Sequence, residues 1–223
     1  MLMNDYNSTK VFWNNVFQKI TTSKYENADL GQEDLNEASK WLSNGTDSLI
    51  DYGCGSGALL FDCALKGTKH HIGIDISTEA IILAKKRAKL FERGNFEFIE
   101  GSFECLNQIE ENTMDGAILS NIIDNMIPQD SELVLRNIHR IVHPGGKILF
   151  KVNPVLTEEQ IKKFNIKDLG NDSLLETTGL YLWNLETEKW CSILEQYFEI
   201  YFKKDIYYKQ HEQYNRLFLL INK

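Results

Sequence analysis

Proline and cysteine are scarce in this chain of 223 residues, and it contains no long basic run and no long apolar run. The four cysteines, Cys54, Cys63, Cys105 and Cys191, are scattered without a C-x-x-C pair. That spacing argues against a zinc site or a redox motif and leaves reduced, buried thiols as the expectation, with no metal. No apolar stretch approaches the roughly 18 residues that a membrane span needs, and MLMNDYNSTK at the start lacks a basic-then-apolar leader. A soluble protein in a reducing, cytoplasmic setting is expected, with no membrane partner. The net charge of -8 disfavours a protein that grips nucleic acid, because that affinity rests on neutralising phosphates with Lys and Arg. With 43% hydrophobic and 25% charged residues, the composition is ordinary for a folded domain. The length suits one α/β domain with a small elaboration.

What the chain does have is a glycine cluster in the right place. Residues 48–75 read SLIDYGCGSGALLFDCALKGTKHHIGID: a short apolar strand ending at Asp51, then Gly53, Gly55 and Gly57, a helical run, and a second strand ending at Asp75. Strand, glycine turn, helix, strand and acid form half of a nucleotide-binding βαβ unit. Glycine is needed where the chain reverses tightly and its backbone comes against a ligand. An acid closing the second strand can accept both hydroxyls of a ribose, so an adenosine-containing ligand is expected. Gly53-x-Gly55-x-x-Ala58 also satisfies the dinucleotide pattern. Two residues favour a ligand without phosphates. Asp51 would repel a pyrophosphate but suits an ammonium, and Gly57 lets the loop hug its ligand.

On these residues the segment resembles the class I S-adenosylmethionine-dependent methyltransferases. Their glycine motif reads as Asp51-Tyr52-Gly53-Cys54-Gly55-Ser56-Gly57 does here, followed by Gly73-Ile74-Asp75-Ile76-Ser77. The Pro144-Gly145-Gly146 turn before a later strand adds an independent match. The resemblance implies a Rossmann-like α/β fold: a seven-stranded, mostly parallel sheet with helices on both faces and an antiparallel last strand. It covers residues 48–150 strongly and those from 187 onward weakly. It also implies S-adenosylmethionine as cofactor, with S-adenosylhomocysteine as product. The implied cofactor residues are Asp51, Gly53, Cys54, Gly55 and Gly57 in the loop, Asp75 at the ribose with Ile76 beside it, Ser102 and Phe103 at the adenine, and Ser120 and Asn121 near the reactive end. The family often carries an acid where Ser102 stands, so one hydrogen bond to the adenine amine is weakened.

Patterning organises the rest. Helical spacing over 9–20 places Val11, Phe12, Val16, Phe17 and Ile20 on one stripe, and a second helix is expected over 33–42. The domain plan is an N-terminal helical cap (1–45), a cofactor-binding core (46–152), an insertion serving as candidate acceptor site (153–184), and a C-terminal helix and strand pair (185–223). Ser77 or Thr78 should cap a helix whose Lys85, Lys86 and Arg87 form a solvated face. Asp130 or Ser131 should begin the helix ending near 142. Thr157 and Gln160 have the spacing of a capping box. Strands are expected at 96–99, 115–120, 147–152, 198–202 and 217–221, with a short strand or edge at 180–183. Tyr6 and Trp13 are candidate contacts above the cofactor, and residues 1–30 are expected to gain order when it binds.

The implied reaction is direct displacement of the sulfonium methyl by an acceptor. No catalytic residue is assigned; Asp124, His139, Tyr181 and Tyr207 are candidates for a general base, should the acceptor require one. DNA is disfavoured as a partner: no Pro-Pro follows Ser120-Asn121-Ile122-Ile123, and no cysteine has a proline neighbour. A small-molecule acceptor is the leading expectation, with a protein or RNA acceptor as the alternative. A catalytically silent binding protein and an NAD-dependent oxidoreductase are the readings from other classes. Oligomeric state is not readable from the sequence.

Overall fold

The structure is a computed structural model that describes residues 6–22, 29–209 and 212–223. Two helices precede the first strand, α1 (Asn7–Phe17) and α2 (Glu33–Ser43). The core then alternates β1 (Ser48–Tyr52), α3 (Ala58–Leu65), β2 (His70–Asp75), α4 (Thr78–Ala88), β3 (Asn95–Glu100), β4 (Met114–Ser120), α5 (Pro128–Ile141) and β5 (Val142–Val152). A further excursion holds α6 (Glu158–Lys163) and a three-stranded sheet of β6 (Lys167–Gly170), β7 (Ser173–Leu175) and β8 (Tyr181–Trp183). The chain ends with α7 (Thr187–Leu194), β9 (Phe198–Tyr208) and β10 (Gln213–Asn222). The main sheet has the order β3-β2-β1-β4-β5-β10-β9, with β10 antiparallel to both of its neighbours. This is the seven-stranded, mostly parallel sheet expected from the glycine motif.

Central strands are covered on both faces and so read as unbroken apolar runs. Leu49, Ile50, Ala117, Ile118, Leu119, Ile148, Leu149 and Phe150 are all fully buried. One face packs Ile50, Leu119 and Phe150 with Trp190, Phe198 and the apolar side of α5. The other packs Leu49, Ile118 and Leu149 with Leu42, Leu60 and Phe61 from α2 and α3. Strand order reverses between β1 and β4, and a crevice opens there at the carboxyl ends of the strands.

Local chemistry explains most boundaries. Ser77 caps α4 by accepting from the Ala80 amide at 3.1 Å. The Thr157–Gln160 capping box forms on both sides and starts α6. In α5 the start falls earlier than expected, at Pro128, with Ile127 rather than Asp130 or Ser131 at the cap. Proline's fixed φ suits the first helical position, and its missing N–H costs nothing there. The last two strands run well past 198–202 and 217–221 because they form one long antiparallel pair from Gln213↔Tyr208 to Asn222↔Phe198. The small sheet was not expected beyond an edge at 180–183.

In α1 the difference bears on function. The helix runs from Asn7 to Phe17, and Val11 and Ile20 of the expected apolar stripe are exposed. Its inward face is instead Tyr6, Thr9, Trp13 and Phe17, at helical spacing, and these line the crevice. The helix is therefore a roof over the crevice rather than a layer of the core.

Candidate active site

The β1–α3 turn builds the floor of the crevice. Gly53, Gly55 and Gly57 all have positive φ, at 80°, 52° and 80°. Space is equally tight: a Cβ at Gly53 would lie 2.7 Å from the Ile122 side chain, and one at Gly55 would lie 3.0 Å from the Phe17 ring. The amides of Gly53 and Cys54 donate to the Ile74 carbonyl at 2.8 and 3.0 Å, which folds the loop back across β2. Arg87 leaves the solvated face expected for it and donates to Ser56 Oγ at 2.5 Å. Its long side chain reaches back along α4 to steady the turn.

Asp75 sits at the carboxyl end of β2 and is buried. One oxygen accepts from the Gly55 amide at 2.8 Å and the other from the Ser77 amide at 2.8 Å. Each carboxylate oxygen has further lone-pair capacity, and the side chain lines the crevice. Burial raises its pKa, while the two amides pull the other way.

Behind the loop lies Asp51, which is buried and has one oxygen without any hydrogen-bond partner. Burial raises its pKa well above the carboxylate range, and the negative charge of Asp75 adds to this. The linkage has a definite sign. A folded pKa raised above the unfolded value gives stability that is full below the unfolded pKa and lost as pH rises through the folded one. Asp51→Asn is therefore expected to raise the melting temperature at neutral pH. It should also flatten the gain in stability seen on acidification. Melting curves across pH check this, and a variant less stable at neutral pH with an unchanged profile would contradict it.

Of the residues assigned from the sequence, the structure brings Gly53, Gly55, Asp75, Ile76, Ser102, Phe103, Ser120 and Asn121 to one crevice wall. Cys54 and Gly57 support the loop from behind. The Cys54 thiol is buried against Gly73, with its pKa pushed up by burial, and Gly57 is the N-cap of α3. Asp51 is likewise beneath the lining rather than in it. The Ser102 hydroxyl donates to Glu104. Asn121 adopts a left-handed φ of 54°, which turns the chain off β4 so that Ile122, Asn125 and Met126 face the crevice. Those three were missed, as were Thr9, Phe17 and Tyr52. A signal existed for Thr9 and Phe17, which share the helical face of Trp13.

The base candidates are elsewhere. Among the described residues, none of Asp124, His139, Tyr181 and Tyr207 lines the crevice. His139 is bonded to Asn222 at 2.8 Å, and Asp124 is buried under the Asn153 amide at 2.7 Å. Tyr207 is exposed, its ring tilted at 45° against Tyr214. Tyr181 meets Tyr6 edge-on, with ring centroids 5.8 Å apart. Tyr6 in turn donates to Asp130 at 2.7 Å and accepts from the Ile127 amide at 3.2 Å, which fixes one end of α1. The other ties are Lys10 to Glu100 at 2.7 Å and Asn14 accepting from Ser77 Oγ at 2.8 Å. No group of residues suited to a metal ion occurs among the described residues.

A glycine turn at the switch point, an acid closing the second strand and an antiparallel last pair together define a Rossmann-like fold of the class I methyltransferase type. Residues 43–208 match the family model described as a methyltransferase domain, and the chain belongs to that family. Among solved structures, it resembles the 1,6-didemethyltoxoflavin-N1-methyltransferase of Burkholderia thailandensis, at 13% identity and a TM-score of 0.68 over 100% of this chain and 92% of that one. It also resembles the N-methyltransferase NodS of Bradyrhizobium japonicum in complex with S-adenosyl-l-homocysteine, at 13% identity and a TM-score of 0.64 over 94% and 98%. At such identities the likeness is one of fold. Among curated proteins, the ribosomal protein L11 methyltransferase of Pseudomonas fluorescens is 29% identical over 63% of this chain and 46% of its own. The peramine synthetase of Metarhizium rileyi is 29% identical over 51% of this chain and 4% of its own. The chain thus spans less than half the length of these curated relatives.

Proposed function

We propose that this protein is an S-adenosylmethionine-dependent methyltransferase acting on a small-molecule acceptor. The observation that carries the reading is the Asp75 carboxylate, oriented by the Gly55 and Ser77 amides at the crevice wall. The residues present fit the cofactor. Gly53 and Gly55 keep the loop backbone bare where any Cβ would meet the Ile122 and Phe17 side chains, and beneath it a buried Asp51 oxygen has no hydrogen-bond partner among the described residues. Asp75 would take the ribose hydroxyls, and Ile76, Ser102 and Phe103 would flank the adenine. Ser120 and Asn121 would stand at the reactive end.

When bound, the cofactor supplies a methyl group on a sulfonium, a centre at which an acceptor lone pair forms the new bond while the carbon–sulfur pair stays on sulfur. The chain's own part is alignment and exclusion of water. Holding two reactants in attack geometry is worth up to about 7–11 kcal/mol. Roofing by α1 supplies the exclusion, since Trp13 and Phe17 cover the glycine loop side of the crevice. Among the described residues, no histidine, lysine or cysteine lines the crevice, which favours an acceptor that attacks without a protein base.

Calorimetry with S-adenosylmethionine, S-adenosylhomocysteine and NAD tests the cofactor, and binding of the first two without the third is expected. Radiolabelled methyl transfer to pooled metabolites, protein and RNA tests the acceptor class. Label confined to protein or RNA would overturn the small-molecule reading, and no transfer with intact binding would favour a silent binding protein. The ordering of residues 1–30 by cofactor is a separate expectation, of which 1–5 and 23–28 lie outside the described residues. Greater hydrogen-exchange protection of α1 on adding S-adenosylhomocysteine is the expected result for the described part.

A further inference from the structure

The cofactor residues account for part of the crevice lining and leave another part unassigned. That part is the inward face of α1 together with the turn after β4: Thr9, Trp13 and Phe17 with Ile122, Asn125 and Met126, of which Phe17 and Ile122 also reach the glycine loop. Its chemistry is unusual in one respect. Asp75 is the one acidic or basic side chain lining the crevice among the described residues, and it is committed to the cofactor. Neighbouring charged groups are engaged elsewhere: Lys10 pairs with Glu100 at 2.7 Å, and Asp130 accepts from the Tyr6 hydroxyl at 2.7 Å. Polar capacity without charge does exist. The Thr9 hydroxyl is buried with no hydrogen-bond partner among the described residues, although Thr9 lines the crevice. Asn125 uses its amide nitrogen on the Asn121 carbonyl at 2.7 Å, and its amide oxygen takes no donor among the described residues.

A buried hydroxyl without a partner is destabilising, so its retention at a binding crevice points to a ligand that completes it. An anionic ligand would lose its hydration and meet no cation there. Aromatic and thioether side chains instead present flat, polarisable surface, which rewards ring stacking. Resting on the methyltransferase reading above, we infer that the acceptor is an uncharged, planar heteroaromatic small molecule seated between α1 and the turn after β4, with Thr9 Oγ1 and Asn125 Oδ1 as its hydrogen-bond partners.

The test uses the full chain saturated with S-adenosylhomocysteine, titrated separately with 4-hydroxyquinoline, quinoline-4-carboxylate and adenosine monophosphate. Tryptophan fluorescence is the readout, and Trp13→Phe identifies the part that comes from the crevice. The uncharged ring should quench Trp13 and bind at least tenfold more tightly than either anion. Thr9→Val should weaken that binding about five- to tenfold. The same variant should leave the calorimetric affinity for S-adenosylhomocysteine unchanged and hold or raise the melting temperature, because it removes an unsatisfied buried group at nearly constant volume. Equal or tighter binding of either anion, no binding of the uncharged ring, or no effect of Thr9→Val would each overturn the inference while leaving the methyltransferase reading in place. Failure of S-adenosylhomocysteine itself to bind would overturn both.

Discussion

Asp75→Ala is expected to weaken S-adenosylmethionine binding at least tenfold while leaving the fold intact. The carboxylate lines the crevice, and its orientation is fixed from both sides by backbone amides at 2.8 Å. Hydrogen bonds to a charged group contribute roughly 1.5–3 kcal/mol, and about 1.4 kcal/mol corresponds to a factor of ten in affinity. Stability should change less, because loss of the two amide contacts is offset by removal of a carboxylate that burial disfavours. Asp75→Asn should keep part of the affinity, since an amide oxygen still accepts without the charge. Binding also has a pH signature. The raised pKa means that Asp75 takes up its proton at a higher pH than an exposed aspartate, so affinity should fall on acidification earlier than for an ordinary carboxylate. Calorimetry on folded Asp75→Ala decides the matter; parental affinity would remove the ribose assignment.

The second large effect is on stability. Arg216, at the start of β10, is buried. It donates from Nε and Nη2 to the Asn153 carbonyl at 3.0 and 2.6 Å, and from Nη1 to the Leu185 carbonyl at 2.5 Å. It also lies near the buried carboxylate of Asp124, whose pKa burial raises and whose charge Arg216 favours. Arg216→Ala would strand both carbonyls and leave Asp124 short of a positive neighbour. Leaving a buried hydrogen-bonding group without its partner typically costs about 1–3 kcal/mol. Arg216→Met fills more of the volume but restores none of the bonds, so it should recover only the packing part. Urea unfolding of the three proteins gives the comparison. A midpoint for Arg216→Ala close to the parental value would show that the guanidinium is not needed to hold these segments.

Much of the fold was legible because the core obeys local rules. The glycine loop, the acid at 75, the Ser77 cap and the buried strands at 115–120 and 147–152 each follow from period, turn chemistry or capping within a few residues. What escaped depends on distant pairing. The sequence of α1 has apolar residues at helical spacing, yet periodicity cannot say which of them turn toward the crevice. Val11 at 57% exposure shows the outcome. Arg87 read as a surface charge because nothing local reveals that Ser56 lies within its reach. The small sheet at 167–183 is built from strands of three and four residues, too short for alternation to register. Among cofactor residues, Asp51 was placed at the ligand and is found beneath the loop, since a motif fixes order along the chain but not depth.

The clasp made by Arg216 has a consequence for how such a chain can change over generations. Asn153 is where the backbone departs from β5, and Leu185 is where it comes back to begin α7. One side chain grips both points, so the excursion leaves and re-enters the core through a single gate of fixed width. Its internal length and composition are then decoupled from the register of β5 against β10. Segments of quite different size could be exchanged at that gate without disturbing the cofactor residues, so the excursion can vary as a replaceable cassette.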